Sequence, residues 1–229
     1  RNLQGLNWII LMTELYAVYG ASGCGRSLMP VAREHLLRLG IKAEIFFIDD
    51  SLIEPIRLNG HLSLNYETFK AKMADHKYVL IAIANSKIRE MLTNKIESDG
   101  IGLWSIQANN AVIMDDVVIG RGAAISPFVT IASNTKIGQC FHANLYSYVE
   151  HDSIIGDYVT FAPGVKCNGN IRIEDQAYIG AGAVIKQGTP EKPLVIGKGA
   201  IVGMGAVVTK DVPAGVTVVG NPAKILKKK

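Results

Sequence analysis

Cysteine is scarce in this 229-residue chain: three residues, Cys24, Cys140 and Cys167. An odd number at these spacings excludes a disulfide framework and matches no zinc ligand set. No metal ligands are therefore assigned, and a reducing cytoplasm is the expected compartment. Charge is sparse as well, at 19% of residues, against about 25% in ordinary soluble domains. The net charge of +4 comes partly from Lys224, Lys227, Lys228 and Lys229. No arginine-rich stripe with interleaved aromatics accompanies it, which argues against nucleic acid as a partner. Long apolar runs are missing too. The stretch Asn7-Trp8-Ile9-Ile10-Leu11-Met12 is too short to span a bilayer. Residues 1–11 read as an upstream or appended leader with Met12 as the natural start, a short amphipathic anchor being the alternative.

Glycine, by contrast, is plentiful, at 23 residues, above the usual share of about 7%. The chain also carries a beat of six. From Ile113 through Ile119, Ile125, Ile131 and onward to Ile185, every sixth residue is apolar or small, Ala143 and Cys167 included. After Thr189-Pro190-Glu191-Lys192-Pro193 the beat resumes at Ile196, Val202 and Val208. An α-helix, turning every ~3.6 residues, cannot hold that period on one face. Hairpins would place their turns irregularly. A solenoid with flat sides six residues long meets the requirement, with one inward residue per side. The residue four places on (Ala123, Val129, Thr135, Ser147) is expected at a corner. Sixteen hexads, three to a coil, give about five coils of eighteen residues. Residues eighteen apart should then lie over one another at the ~4.8 Å spacing of paired strands. The five-residue interruption should leave as a loop, since the beat survives it.

The first part of the chain follows another pattern. Residues 15–19 predict a buried strand, followed by a glycine-rich turn and a helix through Arg38 that Gly40 closes. A second strand over 44–48 ends in Asp49-Asp50, a third covers 78–84, and a helix over 86–98 stops at Gly100. This order predicts a small Rossmann-like α/β domain with a parallel sheet over residues 12–105. The solenoid domain then occupies 106–229, the pattern switching between Trp104 and Asn110.

Two histidines fall in the solenoid. His151 stands two places after the inward Val149, hence at an edge, and Gly169 lies one coil further on. A titratable base beside an amide unshielded by a side chain is the minimal set for acyl transfer: one takes a proton, the other holds an oxyanion. Asp152 could orient the imidazole. An ordinary surface histidine at a turn is the alternative. His142 reads as structural. Near the start, Gly20-Ala21-Ser22-Gly23-Cys24-Gly25 after a strand suits a phosphate at a helix N-terminus. The spacing is not the dinucleotide fingerprint, so no nicotinamide cofactor is expected. Asp49-Asp50 stands where ribose or base recognition occurs in such sheets. The alternative is a plain turn with an exposed acidic pair.

The hexads, Val149-Glu150-His151-Asp152 and the ending Val212-Pro213-Ala214-Gly215-Val216-Thr217-Val218-Val219-Gly220-Asn221-Pro222-Ala223-Lys224 resemble the left-handed parallel β-helix (hexapeptide-repeat) acyltransferases. With Tyr19-Gly20-Ala21-Ser22-Gly23-Cys24-Gly25 they are similar to the bacterial sugar acetyltransferases. That group includes the UDP-4-amino-sugar N-acetyltransferases of the bacillosamine pathway and the sialic acid O-acetyltransferases. The resemblance implies a homotrimer with acetyl-coenzyme A in the groove between two prisms, touching Asn168, Gly169, Gly182, Gly203 and Lys224. It implies a UDP-amino sugar on the N-terminal domain, against Gly20, Ser22, Gly23, Cys24, Gly25, Asp49 and Asp50. His151 would be the general base, Asp152 its aid and Gly169 the oxyanion donor. Two positions depart from the pattern: Cys24 and Thr160 stand where some members have histidine. The expected reaction is N-acetylation of a 4-amino group on a UDP-linked deoxy sugar, with a GDP-linked sugar as a variant. O-acetylation of a sialic acid is the nearer rival, and a non-catalytic nucleotide-sugar-binding scaffold the more distant one.

Overall fold

The computed structural model describes residues 13–227, so the expected leader and start residue lie outside the described part. Its first unit runs β1 (Glu14–Tyr19), α1 (Gly23–Arg38), β2 (Glu44–Ile48), β3 (Ile56–Leu58), β4 (His61–Leu64), α2 (Tyr66–Ala71), β5 (His76–Ile81), α3 (Ser86–Ser98) and β6 (Gly102–Leu103). The sheet order is β3-β4-β2-β1-β5-β6, parallel throughout except for β3. Val18, Phe46, Phe47 and Leu80 are wholly buried, as expected of parallel strands covered on both faces. The Asn85 side chain accepts from the amides of Lys87 and Ile88 and so starts α3. The segment between β2 and β5, left without elements by the sequence reading, holds β3, β4 and α2. Their runs are three to six residues long, too short to show a period.

The glycine-rich turn is shorter than expected, because Gly23, Cys24 and Gly25 already form the first turn of α1. Gly25 is required by close approach: a Cβ there would sit 1.7 Å from the Gly20 carbonyl oxygen.

From Ile106 the chain winds as a left-handed parallel β-helix of triangular section. The first face is a stack of strands from Ile106–Gln107 through His142–Ala143 and Thr160–Phe161 to Thr217–Val219, closed by the antiparallel Lys224–Ile225. The second runs from Val112–Ile113 through Tyr148–Val149 and Lys166–Cys167 to Val207–Val208. The third runs from Val118–Ile119 to Leu194–Ile196. Ile131 pairs with Val149 and Val149 with Cys167, so residues eighteen apart do stack. Ile185 pairs with Val208, five residues more than one coil, which places the interruption in a loop that leaves the stack undisturbed.

The inward hexad residues form one continuous core with the residues four places on. Those second residues are therefore interior, not corner, positions: Ala123, Val129, Thr135, Ser147 and Val159 are all buried. Thr135 and Ser147 stay satisfied by donating to the carbonyls of Ala132 and Asn144, at 2.8 and 2.6 Å. Each fully buried Ile or Val of the stack contributes about 1.5–3 kcal/mol of burial. The true corners lie three places after each inward residue, where the backbone turns left-handed. Asp116, Asn134, Asp152 and Asn170 occupy such corners at φ of 54–60°. Short polar side chains reach this region at least cost among residues with a Cβ.

The N-terminal unit covers the early coils of the first face. Trp104, Ile106, Ala108 and Ala124 share one cluster with Leu28, Met29 and Leu36 of α1. His142, on a first-face strand, is buried with its Nε2 2.9 Å from the Ile81 carbonyl oxygen. Burial and the nearby Arg89 charge hold its pKa well below the usual value. The ring is thus neutral, with Nε2–H donating: His142 is a structural residue, as expected.

Candidate active site

Each coil turns from the second face to the third at one edge, where the expected base and its glycine lie. His151 sits there, half exposed, one residue before the left-handed Asp152. Its Nδ1 is 2.7 Å from Asp152 Oδ2. The hydrogen bond from His151, and after it one from Asn134, holds the Asp152 carboxyl below its ordinary pKa. An ionised carboxylate at Nδ1 makes that nitrogen the proton carrier and leaves Nε2 with its lone pair.

The face of the imidazole ring lies against Gly169. A Cβ on Gly169 would lie 2.7 Å from both Cε1 and Nε2 of His151, so only glycine leaves the imidazole where it is. The coil below is tied to the coil above by hydrogen bonds from Asn170 N–H to the His151 carbonyl oxygen at 3.0 Å and from Gly188 N–H to that of Gly169. Among the described residues the Gly169 N–H itself meets no acceptor. Asn168 is held by donating to the Ile185 carbonyl oxygen and accepting from the Tyr148 hydroxyl. Together these residues, with Glu150, Asn170, Gln187 and Gly188, line a cavity of about 200 Å³. A second cavity of about 720 Å³ continues along the same edge through Gln187 and Gly188, between the insertion loop and Thr209–Asp211. Lys186, Lys192 and Lys210 line it. The sequence reading missed these lysines, because only the coil register brings 186 and 210 to one edge across the insertion.

The expected acetyl-coenzyme A contacts divide. Asn168 and Gly169 are at the His151 cavity. Gly182 and Gly203 stand on the edge between the first and second faces, and Lys224 lies in the final strand of the first face. Within one chain these three are thus separated from His151 by the width of the second face.

The second cavity of interest lies at the carboxyl ends of β1, β2 and β5. Its volume is about 380 Å³, and Tyr19, Gly20, Ser22, Asp49, Asp50, Ile83 and Met91 are among its walls. Such a crevice at strand ends is where doubly wound sheets take ligands. The two aspartates differ. Asp49 uses one oxygen to hold the Ser51 amide and hydroxyl, at 3.0 and 2.7 Å. Asp50 accepts from the Tyr66 amide with one oxygen and from the Tyr19 hydroxyl with the other. Asp50 is therefore committed to holding α2 and β1 together. Cys24 and Gly25 face the protein interior instead of this cavity, and burial raises the Cys24 thiol pKa.

His151 and the strand-end cavity are far apart in the fold. The N-terminal unit lies on the first face, whereas His151 is on the edge opposite that face in a triangular section. One further cavity, of about 420 Å³, lies between the start of α3 and the first face, with Ala84, Lys87, Thr160, Gln176 and Tyr178 in its wall. Among the described residues no helix is long and apolar enough to cross a membrane, and no cluster of side chains could hold a metal ion.

Comparison with known proteins agrees with this layout. Residues 16–96 match the family described as the PglD N-terminal domain. The GDP-perosamine N-acetyltransferase of Escherichia coli O157:H7 is 52% identical over 216 residues, which is 94% of this chain and 97% of that protein. Among solved structures, WeeI from Acinetobacter baumannii AYE is 60% identical with a TM-score of 0.90, over 93% of this chain and 100% of that one. The acetyltransferase domain of PglB from Neisseria gonorrhoeae FA1090, in complex with acetyl coenzyme A, is 27% identical with a TM-score of 0.81. It is matched over 93% of this chain and all of that one.

Proposed function

The chain belongs to the bacterial sugar acetyltransferases built on hexapeptide repeats, and from that premise we propose how its two cavities act together. It is an N-acetyltransferase that uses acetyl-coenzyme A. The acceptor is a nucleotide-linked amino sugar, whose nucleotide lies in the strand-end cavity and whose 4-amino group is acetylated. His151 Nε2 takes the proton as the amine attacks the thioester carbonyl, the C–N bond forms as the C–S bond breaks, and the departing thiolate of coenzyme A receives that proton. Gly169 N–H donates to the oxygen that gains charge. The cavity along the insertion edge suits the long polyanionic carrier, with Lys186, Lys192 and Lys210 opposite its phosphates.

The observation that carries this reading is the pairing of His151 with a glycine amide that lacks an acceptor, one coil away. The separation of the cavities supports a site shared between copies. An amine held on the first face of one chain would be worked on by His151 of another, as in a closed homotrimer. The same packing would bring the Gly182 and Gly203 edge of one copy against the His151 edge of its neighbour, with acetyl-coenzyme A between them.

A GDP-linked sugar is favoured by the name of the 52%-identical relative. A UDP-linked sugar of the bacillosamine type is the alternative that the sequence resemblance implies. Free thiol release measured with acetyl-coenzyme A and a panel of GDP- and UDP-4-amino sugars, with sialic acid as the hydroxyl control, decides between them. Release with none of these acceptors would refute the reading. Light scattering should report three chains, and a mass near 25 kDa would remove the shared site. Co-assembly of His151→Ala with Asp49→Ala chains tests sharing directly. Random mixing leaves about a quarter of sites with both partners intact if they are shared between copies, and none otherwise.

A further inference from the structure

Arg89 is wholly buried at the junction of the two units, and its guanidinium uses all five donors on neutral acceptors. Nη1 donates to the carbonyl oxygens of Ile83 and Ala84, at 2.7 and 3.0 Å. Nε donates to that of Cys140 at 3.1 Å. Nη2 donates to the Tyr158 carbonyl oxygen at 2.6 Å and to Thr160 Oγ1 at 3.0 Å. No carboxylate faces it among the described residues. Burial lowers its pKa to about 10, which still leaves it charged at neutral pH.

An unpaired buried charge is a costly way to join two surfaces, although its removal would orphan the carbonyl oxygens it holds. What the guanidinium adds is direction. Its five bonds fix two consecutive peptides of the β5–α3 connection against two successive coils. Those peptides have a second role: Ile83 lines the strand-end cavity, and Ala84 lines the cavity between α3 and the first face. Cys140 and Tyr158 stand at the edge where the third face turns into the first, at left-handed corners one coil apart. The clamp therefore ties the wall of the acceptor cavity to the rigid stack, through which the cavity would be aimed at the His151 of a neighbouring copy.

We propose that Arg89 is a positioning residue for acetyl transfer, which sets the acceptor cavity at a fixed angle to the β-helix so that the sugar amine meets the base. The proposal rests on the placement of the nucleotide in the strand-end cavity. Its consequence is a division of effects. The nucleotide pocket is built mainly from β1, β2 and α3 and should survive loss of the clamp, while the aim of the amine should not. A displacement of about 1 Å at the reacting atoms costs on the order of 100-fold in rate.

The test uses the full-length protein with Arg89→Lys and Arg89→Met, and Thr160→Val as a milder variant that keeps the arginine and removes one acceptor. Melting temperature and oligomeric mass establish that each variant is folded. Calorimetry then measures GDP, UDP and coenzyme A, and steady-state kinetics give kcat and KM for the acceptor at saturating acetyl-coenzyme A. The expected result is nucleoside diphosphate and coenzyme A affinities within about twofold of the parent, with kcat reduced about 10- to 100-fold in Arg89→Met. Arg89→Lys should recover part of the loss, and Thr160→Val should lose least. Folded variants with parental kcat overturn the proposal. So does a loss of kcat matched by an equal loss of nucleotide affinity, which is what a purely structural role predicts. Asp49→Ala provides the separate control: if it leaves the parental affinity for nucleoside diphosphate unchanged, the placement of the acceptor fails, and the proposal with it.

Discussion

Gly169→Ala separates the chemistry of this protein from its stability. The added Cβ would stand 2.7 Å from Cε1 and Nε2 of His151, well inside contact distance. Nothing else would be within 3 Å, and the glycine's φ is not in the left-handed region, so alanine suits the backbone. The imidazole is half exposed and can swing away, which relieves the clash cheaply but strains or breaks its 2.7 Å bond to Asp152. A base displaced by about 1 Å costs on the order of 100-fold in kcat, equivalent to about 2.7 kcal/mol of transition-state stabilisation. The melting temperature should move by no more than about 2 °C, since the cavity is a surface one and no core contact is lost. Thiol release gives kcat, and scanning calorimetry gives the melting point. The double variant with His151→Ala is the sharper measurement. If the alanine acts through the imidazole, adding it to His151→Ala should cost little more, because residues acting as a unit are not additive. Parental kcat in Gly169→Ala, or fully additive losses in the pair, would refute the reasoning.

His151→Ala should lower kcat by about 10²–10⁴-fold while the affinity for coenzyme A is kept, as calorimetry can check. Asp152 should stay ionised as the pH is lowered past the usual carboxylate range, because hydrogen bonding to His151 keeps its carboxyl below that range. Asp152→Asn should reduce kcat less than His151→Ala, and a larger loss would make the carboxylate, not the ring, the essential group. Asp50→Ala should destabilise the fold by about 1–3 kcal/mol through the orphaned Tyr66 amide and Tyr19 hydroxyl, read by urea unfolding. Asp49→Ala should weaken nucleotide binding with a smaller effect on stability, and the reverse order would exchange their roles. His142→Ala, which strips the Ile81 carbonyl oxygen of its donor, should cost about 1–3 kcal/mol of stability while the variant stays active when folded.

The solenoid was legible because its period is strict. One inward residue every six fixes face, register and coil length together, so the stacking of His151 on Gly169 followed by counting. What counting missed was the second interior row, because Ala123, Thr135 and Ser147 are small enough to look like corner residues. The left-handed corners are harder to read. Asp116, Phe128, Cys140 and Tyr146 share one backbone conformation with no side-chain property in common. In the N-terminal unit, long buried strands and a capped helix were readable, whereas β3, β4 and α2 depend on tertiary pairing. The junction was not legible at all. Arg89 looks like any surface residue of an amphipathic helix until its five acceptors, which come from three separate segments, are brought together.

The proposed pairing of His151 with Gly169 also shows why a coil would suit this reaction. A base and an oxyanion donor must flank one reacting carbon, each within hydrogen-bond reach of a different atom on it. Stacked strands lie ~4.8 Å apart, so side chain and amide from adjacent coils bracket such a centre without any special loop. The coil also supplies rigidity, since Asn170 N–H bonds to the His151 carbonyl oxygen and thereby locks the base to the coil that carries the donor. A left-handed Asp152 then turns its carboxylate back onto Nδ1, which an extended backbone at that corner would not do. Replacing Asp152 by glutamate therefore lengthens the arm of an already closed contact. The variant keeps the charge and should still lose turnover, whereas catalysis that needed only a nearby negative charge would leave the rate unchanged.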